Sequence, residues 1–186
     1  TDLRVIGCTR DDAAGEAFDK AARAMGMPYP GGVEMDRVAE SGDPMAFRLP
    51  HPKVDGAPYD FSFSGLKTAV INLIHNAKQK GEELPRADMA ASFRRMVCTC
   101  LSDKAVLAAQ ETHAKALAMA GGVSANSLLR RMMQQKADIA GIPLYMPRID
   151  LCTDNAAMIG SAAYYRYRRG EVADLTLNAV PGLRLL

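Results

Sequence analysis

Leu117-Ala118-Met119-Ala120-Gly121-Gly122-Val123-Ser124-Ala125-Asn126 is the stretch that decides the fold. A short apolar run ends in two glycines, and a helix-forming segment follows from about Ser124 to Ala140, with Ser124 or Asn126 placed to cap it. That is strand, tight turn, helix N-terminus. The first turn of a helix leaves backbone N–H groups free and its dipole favours negative charge, so the arrangement suits an anion. An ordinary strand-to-helix turn with glycines for chain reversal fits the same residues.

Downstream, Pro143-Leu144-Tyr145-Met146-Pro147 predicts a strand. Leu151-Cys152-Thr153-Asp154-Asn155 precedes a last helix, roughly Asn155 to Arg169, which Thr153 or Asp154 would cap. Its end interleaves Tyr164, Tyr165 and Tyr167 with Arg166, Arg168 and Arg169. The cations complement the C-terminal dipole, and the pattern also suits RNA contact.

Upstream, apolar residues keep a three-and-four rhythm from about Arg86 to Ala114, among them Met89, Phe93, Met96, Val97 and Cys100. This predicts a long core helix. Asp60-Phe61-Ser62-Phe63-Ser64 alternates and predicts a half-buried strand, which Gly65 turns into a helix. Lys67 falls in that helix's first turn, where a cation is disfavoured unless an anion or carboxylate lies nearby. Leu3-Arg4-Val5-Ile6-Gly7 predicts a strand, and Asp11 or Asp12 caps a helix to about Met25. Asp12, Glu16 and Asp19 share one face of it, as a solvated acidic face or as acceptors for ligand hydroxyls or amines. Met27-Pro28-Tyr29-Pro30-Gly31-Gly32 breaks it, and a short helix follows with Met35, Val38 and Ala39 inward and Asp36 and Glu40 outward. Strands alternating with helices place the chain in the α/β class, where ligands bind at the carboxyl ends of strands.

With 186 residues the chain suits one domain or two small lobes, and its formal net charge of +2 makes no bulk argument for nucleic acid. No apolar run reaches a membrane span, and Thr1-Asp2-Leu3-Arg4 does not open a signal peptide. Thr1 in place of Met points to a natural start elsewhere. The four cysteines, Cys8, Cys98, Cys100 and Cys152, form no C-x-x-C pair and read as reduced, mostly buried thiols of a cytoplasmic protein. Cys98 and Cys100 project about 200° apart on their helix and cannot share a metal ion.

Four blocks taken together exceed generic pattern. They are Asp11-Asp12-Ala13-Ala14-Gly15-Glu16-Ala17-Phe18-Asp19-Lys20 with Tyr29-Pro30-Gly31-Gly32; Asp60-Phe61-Ser62-Phe63-Ser64-Gly65-Leu66-Lys67-Thr68; Ala120-Gly121-Gly122-Val123-Ser124-Ala125-Asn126; and Cys152-Thr153-Asp154-Asn155-Ala156-Ala157-Met158-Ile159. In this order they resemble the TsaD (Gcp) family, the tRNA threonylcarbamoyladenosine transferases, once described as O-sialoglycoprotein endopeptidases. The resemblance implies an actin-like ATPase fold of two lobes around a nucleotide cleft, of which this chain matches the C-terminal part. The family's first phosphate loop and its H-x-x-x-H metal pair have no counterpart here: His51, His75 and His113 are far apart. The chain is therefore expected to be a C-terminal fragment. Residues 1–150 would form the C-terminal lobe with its binding loops. Residues 151–186 would form a metal-ligand turn and a final helix that packs back on the N-terminal lobe.

Family roles transfer where the motif matches. Asp19 resembles a residue that binds threonylcarbamoyl-AMP, and Gly32 a ligand-contacting glycine. Asp36 resembles a ribose-hydroxyl binder, and Asn126 a nucleotide contact beside the glycine turn. Asp154 resembles the aspartate that joins two histidines on the metal. Gly121 and Gly122 would offer backbone N–H to phosphate. A His, His, Asp set suits Zn or Fe(II), so one such ion is expected in the full-length protein and not in the fragment alone.

The implied reaction moves the threonylcarbamoyl group from threonylcarbamoyl-AMP to the exocyclic amine of the adenosine beside the tRNA anticodon. The implied partners are an adenine nucleotide, tRNA, and pathway proteins including a non-catalytic paralogue and an ATPase, with no membrane. The fragment alone is expected to be inactive and to self-associate through an exposed apolar face. Two other classes compete. A metal-dependent glycoprotease would follow the older family name, but no H-E-x-x-H and no Ser/His/Asp set is evident. A non-catalytic nucleotide-binding or assembly module would use the fold without the chemistry.

Overall fold

The computed structural model describes residues 3–181. It is richer in helix than the sequence pattern suggests, with six α-helices and two very short strands among the described residues. The helices are α1 (Ala14–Ala24), α2 (Gly31–Val38), α3 (Ser64–Lys80), α4 (Arg86–Glu111), α5 (Ser127–Ala140) and α6 (Ala156–Arg168). Strand β1 (Leu117–Ala118) pairs in parallel with β2 (Leu144–Tyr145), Leu117 opposite Leu144, and α5 makes the crossover between them. The first strand and the helix of this β-α-β unit are those the opening stretch predicts, and its second strand falls within the strand expected at Pro143–Pro147.

Helix α4 is the spine. Its residues are buried on both sides because two separate clusters pack against it. The larger cluster joins Phe18, Met35, Leu66 and Val70 from α1, α2 and α3 to Phe93 and Val97. Phe18 meets Phe93 edge-on, with ring centroids 5.5 Å apart at 79°. The smaller cluster joins Cys98 to Leu129 and Met133 of α5, with Leu117 and Leu144 beside it. Cys98 and Cys100 thus enter opposite clusters, as two helical positions about 200° apart must.

Three expectations about the first seventy residues change. Residues 3–7 form no strand; among the described residues the only pairing near them is an isolated parallel bridge between Thr9 and Phe61. It is framed by Arg10 N–H to the Phe61 carbonyl (2.8 Å) and Phe61 N–H to the Cys8 carbonyl (2.9 Å). Residues 60–64 contribute only that bridge, because α3 already begins at Ser64. Their alternation still shows, since Phe61 and Phe63 stack on one side with centroids 6.0 Å apart.

Asp11 and Asp12 do not cap α1, whose N-cap Ala13 makes no side-chain bond. Asp11 instead accepts from the N–H groups of Phe63 (2.8 Å) and Ser64 (3.3 Å) and so caps α3 from a distant segment. Asp12 accepts from Lys20 and Lys67, both at 2.6 Å, which holds its carboxyl below the usual range. This is the carboxylate that relieves Lys67 in the first turn of α3. Lys20 also reaches Glu16 at 2.7 Å and so balances the acidic face of α1.

Candidate functional site

The glycine turn is more elaborate than a direct strand-to-helix junction. Gly121 has φ of 82°, a left-handed conformation that a side chain would strain. A 3-10 turn then spans Gly122–Ala125, and α5 opens only at Ser127. Ser124 is buried and folds inward, its hydroxyl donating to the Gly121 carbonyl at 2.6 Å, so it supports the turn.

Asn126 is the cap of α5: its Oδ1 accepts from Leu129 N–H at 3.0 Å. The same oxygen accepts from the Cys98 thiol at 3.3 Å. Burial pushes that thiol up to about 12, so it stays protonated and able to donate. Oδ1 is therefore committed to the fold, while Nδ2 makes no hydrogen bond among the described residues. Cys98 is a supporting residue that the sequence showed only as a buried thiol.

Two carboxylates attach α2 to its neighbours. Asp19 Oδ1, on α1, accepts from Gly32 N–H at 3.1 Å. Asp36 Oδ2 accepts from Ser127 N–H at 2.9 Å, and its Oδ1 from the Ser127 hydroxyl at 3.1 Å. Asp36 thus faces the first turn of α5, directly beside Asn126. The expectation that Asp36 points outward is corrected, since it turns toward Arg94 of α4 at 2.8 Å; Glu40 is exposed as expected, with its carboxylate reaching Arg94 at 2.6 Å. The reason is a buried cation on α4 that needs anions opposite it. At the other end, the start of α1 meets the glycine turn, since a Cβ on Gly15 would lie 3.3 Å from Val123.

The hydrogen bond from Arg94, supported by Arg131 and Ser127, holds the Glu40 carboxyl down at about 2, against an ordinary 4.5. A depressed acid stabilises the fold above its unfolded pKa and loses that contribution as pH falls. An added loss of stability is thus expected between pH about 4.5 and about 2, blunted because Glu40 is 53 % exposed. Unfolding midpoints measured across that range should fall less steeply for Glu40→Gln than for the parent; identical slopes would refute the assignment.

Asp154 lies in an exposed turn. The cap of α6 is neither Thr153 nor Asp154 but Asn155, whose side chain accepts from Met158 N–H at 3.0 Å. Asp154 makes no side-chain hydrogen bond among the described residues. Its turn is tethered to the glycine turn by Arg130 of α5, which the sequence reading missed. One Arg130 nitrogen donates to the Ser124 carbonyl (3.0 Å) and reaches Cys152 Sγ (3.9 Å); the other donates to the Pro147 carbonyl (3.0 Å). An arginine one turn into a helix carries no sequence signal for such a staple.

Among the described residues no three His, Cys, Asp or Glu side chains converge on a metal position. Asp154 would fit as one hard oxygen donor. His51 contacts the Pro52 carbonyl and His75 contacts Gln79, so neither is aligned by a carboxylate. No described helix is long and apolar enough to cross a membrane.

A family model described as "TsaD: tRNA N6-adenosine threonylcarbamoyltransferase" matches residues 1–161. Curated proteins of that name are similar along the chain. The one from Moorella thermoacetica is 53% identical over 185 residues, covering 100% of this chain and 54% of that protein. That from Geobacillus thermodenitrificans is 52% identical, covering 98% and 53%. That from Clostridium botulinum (strain 657 / Type Ba4) is 47% identical, covering 99% and 54%. The chain spans about half the length of these relatives. Among solved structures, full-length HypF in its phosphate- and nucleotide-bound form superimposes with a TM-score of 0.59 at 19% identity, over 83% of this chain and 20% of that one. At that identity the likeness speaks for the fold, which agrees with a partial actin-like lobe.

Proposed function

We propose, from the premise that the chain belongs to the TsaD family of tRNA N6-adenosine threonylcarbamoyltransferases, that it forms one wall of the site where threonylcarbamoyl-AMP meets tRNA. The observation that carries the reading is the pair of bonds from α2, Gly32 N–H to Asp19 and Asp36 to Ser127. They join α1, α2 and the start of α5 into a single surface. On it lie Asp19, Gly32, Asp36, Gly121, Gly122 and Asn126.

The roles follow from the atoms left over. Asp36 Oδ2 has an acceptor position beyond Ser127 N–H and suits a ribose hydroxyl. Asn126 Nδ2 can donate to the nucleotide while Oδ1 stays with the helix. The N–H groups that open the 3-10 turn at Gly122 suit a phosphate. In the transfer, the adenosine N6 amine attacks the carbamoyl carbon, a C–N bond forms, and the bond to the phosphate oxygen breaks to release AMP. This wall binds and orients the adenylate for that step.

Asp154 would hold a divalent ion, Fe(II) or Zn, together with ligands supplied from outside residues 1–186. When bound, such an ion supplies Lewis acidity to a carbonyl or phosphoryl oxygen. Helix α6 has no buried residue, with Met158, Ile159 and Tyr165 at 45, 63 and 64% exposure. That supports residues 151–181 as a segment whose packing surface belongs to the remainder of the protein; residues 182–186 of the expected segment lie outside the described residues. We place the full-length enzyme in the cytoplasm with tRNA and the pathway's partner proteins.

The test uses full-length protein. Asp154→Ala should reduce bound metal at least as much as the 10–100-fold that loss of an outer-shell partner costs. It should also abolish threonylcarbamoyl transfer to tRNA. Stability should change by less than about 0.5 kcal/mol, since the carboxylate anchors nothing in the described fold. Undiminished metal content and transfer in Asp154→Ala would overturn the reading.

A further inference from the structure

Arg94 is only 5% exposed about a third of the way along α4, and its Nε is a buried donor with no partner among the described residues. An unpaired buried donor is costly, more so in a charged group. The side chain accepts that cost in one orientation, and the orientation is set by its other nitrogens. Nη1 donates to the Asp36 carbonyl (3.0 Å), Asp36 Oδ1 (2.8 Å) and Glu40 Oε1 (2.6 Å), and lies 3.4 Å from the Ser127 hydroxyl. Nη2 donates to the Ala39 carbonyl at 3.3 Å.

The consequence falls on Asp36. Its Oδ1 receives Arg94, while the single Ser127 hydroxyl proton lies 3.1 Å from both Asp36 Oδ1 and Glu40 Oε1 and is shared between them. Its Oδ2 receives only Ser127 N–H. The carboxylate is therefore pinned through Oδ1 and presents one open acceptor position on Oδ2, on a side chain that is 19% exposed. Without the guanidinium, Asp36 and Glu40 would stand as like charges one helical turn apart, and Asp36 would be free to rotate.

We propose that Arg94 is a positioning residue: by holding Asp36 Oδ1 it fixes the carboxylate so that Oδ2 is turned to accept a ribose hydroxyl, and it braces α2 against the first turn of α5. The proposal rests on the reading of Asp36 as a ribose contact. A lysine cannot substitute fully, because a single ammonium cannot span Asp36, Glu40 and the Ala39 carbonyl as a fork does.

The readout is a ratio that a loss of folded protein does not move. Full-length protein is titrated with ATP, 2′-deoxy-ATP and 3′-deoxy-ATP, and the preference for ATP over each deoxy analogue is recorded. The parent should prefer ATP over at least one analogue, and Asp36→Asn should erase that preference. Arg94→Met should shrink it at least fivefold with little change in affinity for the analogue itself, and Arg94→Lys should fall between. If the parent shows no preference, or Asp36→Asn keeps it, the reading of Asp36 fails. If Asp36→Asn erases the preference and Arg94→Met keeps it, the proposal for Arg94 is overturned while that of Asp36 stands. Should Arg94→Met not fold, Arg94→Lys decides: an unreduced preference overturns the proposal, and at least a twofold reduction supports it.

Discussion

Asn126→Ala in the full-length protein is expected to lose stability and nucleotide affinity together. The side chain has two jobs on two atoms. Oδ1 accepts from Leu129 N–H and from the Cys98 thiol, at 3.0 and 3.3 Å, and closes the first turn of α5. Losing such a cap costs about 0.5–2 kcal/mol, and here a buried thiol loses its acceptor as well. Nδ2 is the atom available to a ligand. The substitution therefore does not spare the fold, since the residue is only 8% exposed. Asn126→Asp separates the jobs, because a carboxylate still accepts from Leu129 and Cys98 but has no amide to donate. Its denaturation midpoint should stay near the parent's, while adenine-nucleotide affinity falls on the order of tenfold, equivalent to about 1.4 kcal/mol. Affinity equal to the parent's in Asn126→Asp would show that the cap explains the residue.

Gly31→Ala and Gly32→Ala, one residue apart, are expected to fail in opposite ways. A Cβ on Gly31 would lie 2.6 Å from the Ala22 Cβ and 3.0 Å from the Asp19 Cα. Neither can yield without separating α1 from α2, so about 1–3 kcal/mol of stability should be lost. The separation would also pull Asp19 off Gly32 N–H. A Cβ on Gly32 meets only the Phe18 Cβ, at an ordinary 3.7 Å. Gly32→Ala should fold as well as the parent, or slightly better since alanine favours a helix. Its methyl group would occupy ligand space, so nucleotide affinity should drop tenfold or more. Denaturant midpoints and nucleotide titrations on both variants check the pair. Loss of stability in Gly32→Ala with affinity kept would make this glycine a packing residue.

What could be read without coordinates was local and repetitive. The three-and-four rhythm of Met89, Phe93, Met96 and Val97 marks α4 because helical spacing repeats every turn. The paired glycines before Val123 mark the turn between β1 and α5, and the opposed directions of Cys98 and Cys100 follow from helix geometry alone. The resemblance to the transferase family rests on short motifs of the same local kind. Residues 3–7 misled for a related reason: a strand exists only by pairing, and apolar residues without a neighbour to bond remain a plain extended segment.

The contacts that assemble the wall were not legible, because each joins residues distant in sequence. Asp11 reads as a cap for the helix that follows it, yet it caps α3, 52 residues away at Phe63. Asp36 and Ser127 meet across 91 positions. Arg94 draws Asp36 inward, and binds the exposed Glu40, only because α4 presents a buried cation opposite α2. The sequence by itself determined the order of the six described helices, the two strands β1 and β2, and the glycine turn. Only the tertiary structure decided which atoms of the wall's residues are spent on folding and which remain to bind. A polar atom's partner is a matter of distance in space, and chain spacing does not encode that distance.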